Sequence, residues 1–381
     1  MTSSVQGPRT GWTTGACATA ATAAACTALL TGRFPDPVRI TLPRGRHPSF
    51  PLALSHLVSN GRGPKNGRGP EDGPCAVAGV VKDAGDDPDI THGALIRATV
   101  RPGPPGGPVV FRAGPGVGVV TRPGLPLAVG EPAINPSPRA MIESAIAEIT
   151  RQHGGTGSFV VEIAVEGGQD LALRTLNPRL GIVGGLSILG TTGVVIPYSC
   201  SAWIDAIRRG IDVARAGGSR HVAACTGRTS EAAAARVHGL PQQALLDMGD
   251  FAGATLKYLR RHPVPRLTIA GGPAKLCKLA QGHLDLHSAR SAVDLPALAR
   301  AVAGAGGTAG LVRDVAGATT VLQAREYCDG EGFPLGDLVA AGALEQALRV
   351  LRPTPPEVDV LVVGRGGDVV GTATNRTTTG R

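Results

Sequence analysis

Residues 177–203, NPRLGIVGGLSILGTTGVVIPYSCSAW, set Gly181, Gly184, Gly185, Gly190 and Gly193 among Leu, Ile and Val. The apolar residues call for burial, and the glycines let a backbone turn tightly or approach a ligand closely. Ser187, Thr191 and Thr192 add small hydroxyls between them. Ser199 or Ser201 then reads as the N-cap of a helix with 203–216 as its body. Strand, glycine–hydroxyl loop and helix, in that order, is how many α/β proteins hold a nucleotide-like ligand. A buried strand pair closed by a tight turn accounts for the same residues equally well. The flanking chain tips the balance toward a ligand.

Downstream, strand patterns alternate with helical ones. HVAACTG (221–227) is a strand, 230–238 a helix, ALLDMGD (244–250) a strand, 251–261 a helix, 267–272 a strand, and 275–280 opens another helix. Such alternation predicts βαβ units and a parallel sheet, in an α/β domain spanning 166–381. The strands end on Thr226-Gly227, Met248-Gly249-Asp250 and Gly271-Gly272. Carboxyl ends of parallel strands line one edge, where ligands bind. Thr226, Gly227, Asp250 and Gly271 therefore join Gly184, Gly185, Ser187, Gly190, Thr191, Thr192 and Gly193 as candidates to hold a nucleoside-like ligand. No GxxxxGK[ST] is present, which argues against a P-loop kinase. Thr226-Gly227-Arg228 stands where a dinucleotide site carries an acid, which argues against NAD. QGHLDLHS (281–288) puts His283, Asp285 and His287 at alternate positions, on one face if extended. Ligands two apart seldom wrap one ion, so a polar cleft edge with one acid/base group is the better reading. Lys275 is placed to pair with substrate carboxylates. The chain to about Arg352 reads as helical, and VDVLVVGRGGDVVGTA (358–373) as a terminal hairpin.

Upstream, 11–32 reads as a helix of Ala, Thr, Cys and Gly, opened by Thr13 or Thr14 and closed by Gly32. Close packing explains that composition, and amides at Thr13-Thr14 facing an anion are the functional alternative. Asn60–Pro74 is a Gly/Pro/Arg insertion of surface-loop character. KDAGDDPDITHG (82–93) crowds Asp83, Asp86, Asp87 and Asp89 beside Lys82 and His92, between two apolar strands. Like charges so close need a cation, donors or open water. Asp83, Asp86 and His92 are candidates for acid/base or orienting work, against a merely solvated turn. Gly114, Gly116 and Gly118 imitate a dinucleotide fingerprint, but prolines rather than a helix follow. That Pro-rich stretch carries Arg122, Glu131, Asn135 and Arg139 on a stiff loop suited to a cleft wall. Strands and helices without strict alternation make 1–165 an α+β domain.

A chain of 381 residues, 42% hydrophobic and 18% charged, is globular and long enough for two domains. Net charge +9 favours an anionic partner. Aromatic content of 3% leaves few stacking platforms, and no run of basic residues reaches five, so nucleic acid is not expected. No signal peptide and no apolar run of membrane-spanning length is read, so no membrane is expected. Seven cysteines without a CxxC pair indicate neither a disulfide framework nor a zinc site. The expected compartment is the cytoplasm, and a homo-oligomer is left open.

GWTTGACA, VKDAGDDPDITHGA, GVGVVTRPGLPLAVGEPAINPSPRAMI, LNPRLGIVGGLSILGTTGVV and KLCKLAQGHLDLHS, in this order, resemble the cobalt-precorrin-5B C(1)-methyltransferase family of cobalamin biosynthesis (the CbiD type). The resemblance implies an α+β first domain and a Rossmann-like second one. It implies S-adenosylmethionine as methyl donor, with cobalt arriving only as part of an anionic corrin precursor and no metal site on the protein. It further implies Asp83, Asp86, His92, Asp285 or His287 assisting proton loss. Thr13, Thr14, Lys82, Arg122, Glu131, Asn135, Arg139, Lys275 and His283 would then meet the substrate. GGPAKLCKLA departs from the family, which usually carries a GH-type sequence before the lysine. A nucleotide- or NAD-dependent α/β enzyme and a non-enzymatic tetrapyrrole- or RNA-binding module remain alternatives.

Overall fold

In the computed structural model, which describes residues 7–58, 73–155 and 157–376, Thr13 caps helix α1 (Thr14–Thr31) by accepting from Ala16 N. Gly32, left-handed at φ 77°, closes it. Almost every side chain of α1 is small, so it is buried from Thr14 through Cys26. The buried hydroxyls of Thr19 and Thr22 are satisfied by the carbonyls of Gly15 and Ala18, both at 2.8 Å. By length and composition α1 is apolar enough to cross a membrane, which corrects the expectation that no such run exists. However, 78% of it is buried inside the protein, as befits a core helix.

Helix α1 packs on α2 (Pro136–His153) and on a five-stranded sheet. The sheet comprises β1 (Leu54–Val58), β2 (Cys75–Val81), β3 (Leu95–Pro102), β4 (Val110–Ala113) and β5 (Phe159–Val165), in the order β1-β2-β3-β5-β4. All neighbours are antiparallel except β5 and β4. Val80, Ile96, Val100, Val161 and Ile163 meet the alanines of α1 and Ile142 and Ile146 of α2 in one core. Most of the Asn60–Pro74 insertion lies outside the described residues.

The chain divides into two compact units between Ser199 and Cys200, not at 165/166. The cause is strand pairing. Ile182–Val183 pairs with Val119–Val120, Gly185–Leu186 with Gly116–Val117, and Val194–Val195 with Gly11–Trp12. The glycine–hydroxyl stretch thus belongs to the first unit, as short strands and their turns, with Gly185–Leu186 buried and Val183 and Leu189 exposed.

The second unit begins with α3 (Cys200–Ala216). There follow β6 (His221–Cys225), α4 (Arg228–His238), β7 (Leu245–Asp247), α5 (Ala252–Arg261), β8 (Arg266–Gly271) and α6 (Pro273–Ala280). Helices α7 (Leu295–Gly304), α8 (Ala309–Gly317), α9 (Val321–Gly330) and α10 (Leu335–Leu351) lead to the hairpin β9 (Glu357–Val363) and β10 (Val369–Thr374). The order is β7-β6-β8-β9-β10, with the first four strands parallel and β10 antiparallel at the edge. Val222, Ala224, Leu267, Ile269, Val358, Val360 and Val362 carry the sheet's core. The chain as a whole is mixed α/β with several sheets.

Candidate functional site

In the second unit the strand order reverses between β6 and β8, the position at which parallel sheets open a crevice beyond their carboxyl ends. Thr226-Gly227 follows β6 and Gly271-Gly272 ends β8, so both loops flank that point. An added methyl on Gly271 would lie 2.9 Å from the Thr226 side chain, whereas Gly227 and Gly272 face open space. Lys275, on α6, donates to Thr226 O at 3.1 Å and lies 3.0 Å from Asp250 Oδ1. That carboxylate oxygen is buried and its contact with Lys275 is off the hydrogen-bond direction, so it retains unused acceptor capacity. Because 182–195 is no part of this sheet, β6 is its first strand and β7 its second. The second strand therefore does end in an acid, Asp247, which corrects the objection drawn from Thr226-Gly227-Arg228.

The segment after α6 is fastened to the same edge. Lys278, buried, donates to Leu286 O at 2.9 Å, and Leu286 N donates to Asp250 O at 2.9 Å. Residues 281–290 form no strand, with turns at 281–282 and 288–290, so His283, Asp285 and His287 lie in irregular chain rather than in a strand. Without a neighbouring strand, alternate spacing has no ladder to hold it. Asp285 accepts from Arg290 Nη1 at 2.7 Å and from His287 N at 3.1 Å. Burial pushes the Asp285 carboxyl up, but these bonds prevail and hold it below its ordinary value. His287 Nδ1 accepts from Ala289 N at 3.2 Å. His283 follows the first turn, its amide on Lys278 O at 3.0 Å.

In the first unit the acidic loop acts as a set of anchors. Asp83 accepts from Arg9 Nη2 at 3.0 Å, and the Arg9 guanidinium and the Gly85 amide lower its carboxyl to about 2. Asp86 accepts from Arg9 N at 2.6 Å, and Asp87 from Tyr198 N at 2.9 Å. Asp89 binds Lys82 Nζ at 2.7 Å and both donors of Thr91. Burial works against the Asp89 charge, yet these donors keep its carboxyl below normal. His92 is exposed, with Nδ1 accepting from Ala84 N at 3.1 Å. In His92 and His287 alike the Nδ1 lone pair is taken by a backbone amide, so the neutral ring presents Nε2–H, a donor.

Several expected ligand contacts are spent internally. Lys82 is 1% exposed and committed to Asp89, so it does not reach a substrate. Thr13 and Thr14 are buried too: Thr13 N donates to Gly193 O, Thr14 Oγ1 bonds Leu189, and Gly15 N donates to Leu189 O. The start of α1 is thus capped by the glycine–hydroxyl stretch, and the amides of Thr13, Gly15 and Ala16 are already bonded. Gly190 is glycine because any Cβ there would meet the Thr13 side chain at 2.3 Å; Gly185 and Gly193 likewise press on Gly116 and Leu42. Ser187 donates to Asn177 Oδ1, Thr192 bonds Val194 locally, and Thr191 is exposed. Gly184 alone of these glycines, apart from any ligand, faces open space at its Cβ position.

The Pro-rich loop is braced in the same way. Arg122 Nη1 donates to Arg179 O, and Asn135 Nδ2 to Ile188 O at 3.2 Å. Arg139 bonds Ile134 O and Glu131 and stacks over Phe111. These residues stay partly exposed at a rigid wall.

At the opposite end of the parallel strands His221, His238 and Asp359 bring possible ligand atoms within 4.8 Å of one another. Both Asp359 oxygens are already held, by Arg266 at 2.8 Å and Arg376 at 3.2 Å. Burial and the neighbouring Arg266 charge push the His221 imidazole down to about 4. Two guanidiniums beside the cluster make it an ion-pair network rather than a cation site. Sequence reasoning had not singled out Arg9 or Arg290, the partners of Asp83 and Asp285. Only an acid needing a counter-charge signalled them.

The CbiD family profile matches residues 1–197, and the profile of the CbiD C-terminal domain matches 285–374. A cobalt-precorrin-5B C(1)-methyltransferase of Paramagnetospirillum magneticum is 59% identical over 97% of this chain and 99% of its own length. A protein of the same name from Halorhodospira halophila is 56% identical over 96% of this chain and 94% of its own. A crystal structure of a cobalamin biosynthesis protein (cbiD) from Archaeoglobus fulgidus matches 86% of this chain and 85% of that one, at 23% identity and a TM-score of 0.38. With both profiles matching and relatives this similar over nearly their full length, the chain belongs to the CbiD family.

Proposed function

We propose that this chain is a C-methyltransferase that methylates carbon 1 of cobalt-precorrin-5B, giving cobalt-precorrin-6A in cobalamin biosynthesis. The near-full-length identity to relatives of that name carries the reaction. The donor we assign is S-adenosylmethionine, which when bound supplies an electrophilic methyl group on a sulfonium sulfur. Cobalt enters as part of the substrate.

We read the second unit as Rossmann-like and assign the donor to the carboxyl edge of its sheet. The residues there suit such a ligand: Gly227 and Gly272 are open to close approach, and Asp250 Oδ1 is a buried acceptor without a hydrogen bond. Thr226, Gly227, Asp250 and Gly271 would hold it, with Lys275 positioning Asp250. Gly185, Ser187, Gly190, Thr192 and Gly193 are engaged in packing or hydrogen bonds within the first unit, so we assign them no donor contact, while Gly184 faces open space and Thr191 is exposed.

Methyl transfer to an electron-rich ring carbon rests mainly on positioning. The acidic candidates fit that demand, since Asp83 and Asp285 are held ionised by arginines and make poor bases at neutral pH. His92, presenting Nε2–H, is suited to donate to a carboxylate of the corrin precursor. Arg122 and Arg139 add positive charge to the Pro-rich wall, in keeping with the net +9. All seven cysteines are free thiols, which supports a reducing, cytoplasmic setting. Incubation with cobalt-precorrin-5B and methyl-labelled S-adenosylmethionine tests the reading. Label at carbon 1 of the product is expected, and absence of any transfer would overturn it.

A further inference from the structure

Trp203 stands on the first turn of α3 with 47% of its surface exposed, although an indole gains by burial. The ring is nevertheless fixed. Its Nε1–H donates to Asp247 O at 3.2 Å, and it tilts against Phe251 with centroids 6.2 Å apart. Gly249, at φ 53°, lets the loop pass beneath it: a methyl added there would lie 3.3 Å from the ring. Trp203 is therefore clamped to the 247–251 loop, at the carboxyl end of β7, while the rest of the ring is left to solvent. Ordering an exposed aromatic in this way prepares a flat π surface before any ligand arrives.

The surroundings select the ligand's chemistry. Asp247 and Asp250 lie in the same loop, and Asp247 follows Gly227 by about 20 residues, the spacing at which such folds carry an acid for ribose hydroxyls. A planar base joined to a ribose matches an indole clamped to a segment that carries Asp247 and Asp250 in sequence. We propose that Trp203 is the stacking surface for the adenine of the methyl donor. This rests on the assignment of the donor to the second unit, and it adds a recognition residue outside the strand-end loops.

The chain has two tryptophans, and Trp12 is packed edge-on against Phe50 in the first unit, so emission can be assigned to Trp203 in a Trp12→Phe background. Titrating that full-length variant with S-adenosylhomocysteine should quench or shift the Trp203 emission saturably, and adenosine at higher concentration should do the same. By calorimetry, Trp203→Leu should weaken S-adenosylhomocysteine by about tenfold or more, while Trp203→Phe, which keeps an aromatic face, stays within about threefold of the parent. Circular dichroism and melting identify any variant that fails to fold, and the emission response of the Trp12→Phe protein stands without the Trp203 variants. Saturation without a change in emission, or equal affinity of folded Phe and Leu variants, would overturn the stacking role and leave the donor assignment standing. If S-adenosylhomocysteine does not bind the parent protein at all, the donor assignment itself fails, and the stacking role with it.

Discussion

Lys275 Nζ lies 3.0 Å from Asp250 Oδ1 while donating to Thr226 O at 3.1 Å, so one ammonium on α6 links the loops that follow β6 and β7. This contact spans the point where the strand order reverses. Its value is positional: it holds the Asp250 carboxylate at the carboxyl edge of the sheet with an acceptor oxygen still available.

Because the pair is partly exposed, its worth to folding is small. A double-mutant cycle of Lys275→Ala and Asp250→Asn, followed by urea denaturation, should return a coupling of about 1 kcal/mol or less. A much larger value would make the contact a structural one.

Gly190→Ala should be costly to stability. The new methyl meets Thr13 at 2.3 Å, in a backbone at φ 124°. Overpacking of this kind costs about 1–3 kcal/mol. Denaturant unfolding measures it, and unchanged stability with weakened donor binding would return the glycine–hydroxyl stretch to the ligand.

Much of this architecture was legible in the sequence. The helix bounded by Thr13 and Gly32, the alternation from His221 to Ala280 and the hairpin turning at Gly364–Gly367 all follow from caps, periodicity and turn residues. Residues 182–195 misled because two-residue strands have no period, and their partners lie far away at 11–12 and 116–120. Lys82 misled because a charged residue reads as exposed until its buried partner, Asp89, is seen. The strand ends Thr226, Asp250 and Gly271 were readable because parallel strands bring their carboxyl ends together whatever the helices between them.

Acid should expose the Arg9–Asp83 pair. The folded Asp83 pKa, about 2, is below its ordinary 3.8, so the unfolded chain binds more protons between those values. Its contribution is present above about pH 4 and is lost as pH falls toward 2. Arg9→Ala should flatten the fall in melting temperature across that window, and an unchanged slope would contradict the pairing.

His221 acts in a higher window. Its folded pKa near 4, against an ordinary 6.5, again means that the unfolded state takes up the proton first. Stability from this site is complete above about pH 6.5 and declines as pH drops to 4. Thermal melts of His221→Gln, which can still reach Thr268, should show a shallower decline than the parent over that range.

The most direct test separates the roles of the two units by steady-state kinetics with both substrates varied. The account predicts that Asp250→Asn raises KM for S-adenosylmethionine by about tenfold and leaves KM for cobalt-precorrin-5B nearly unchanged, as loss of one hydrogen bond to a charged group implies. His92→Ala should do the reverse. An Asp250→Asn enzyme with parental KM for S-adenosylmethionine would contradict the placement of the donor at the sheet edge.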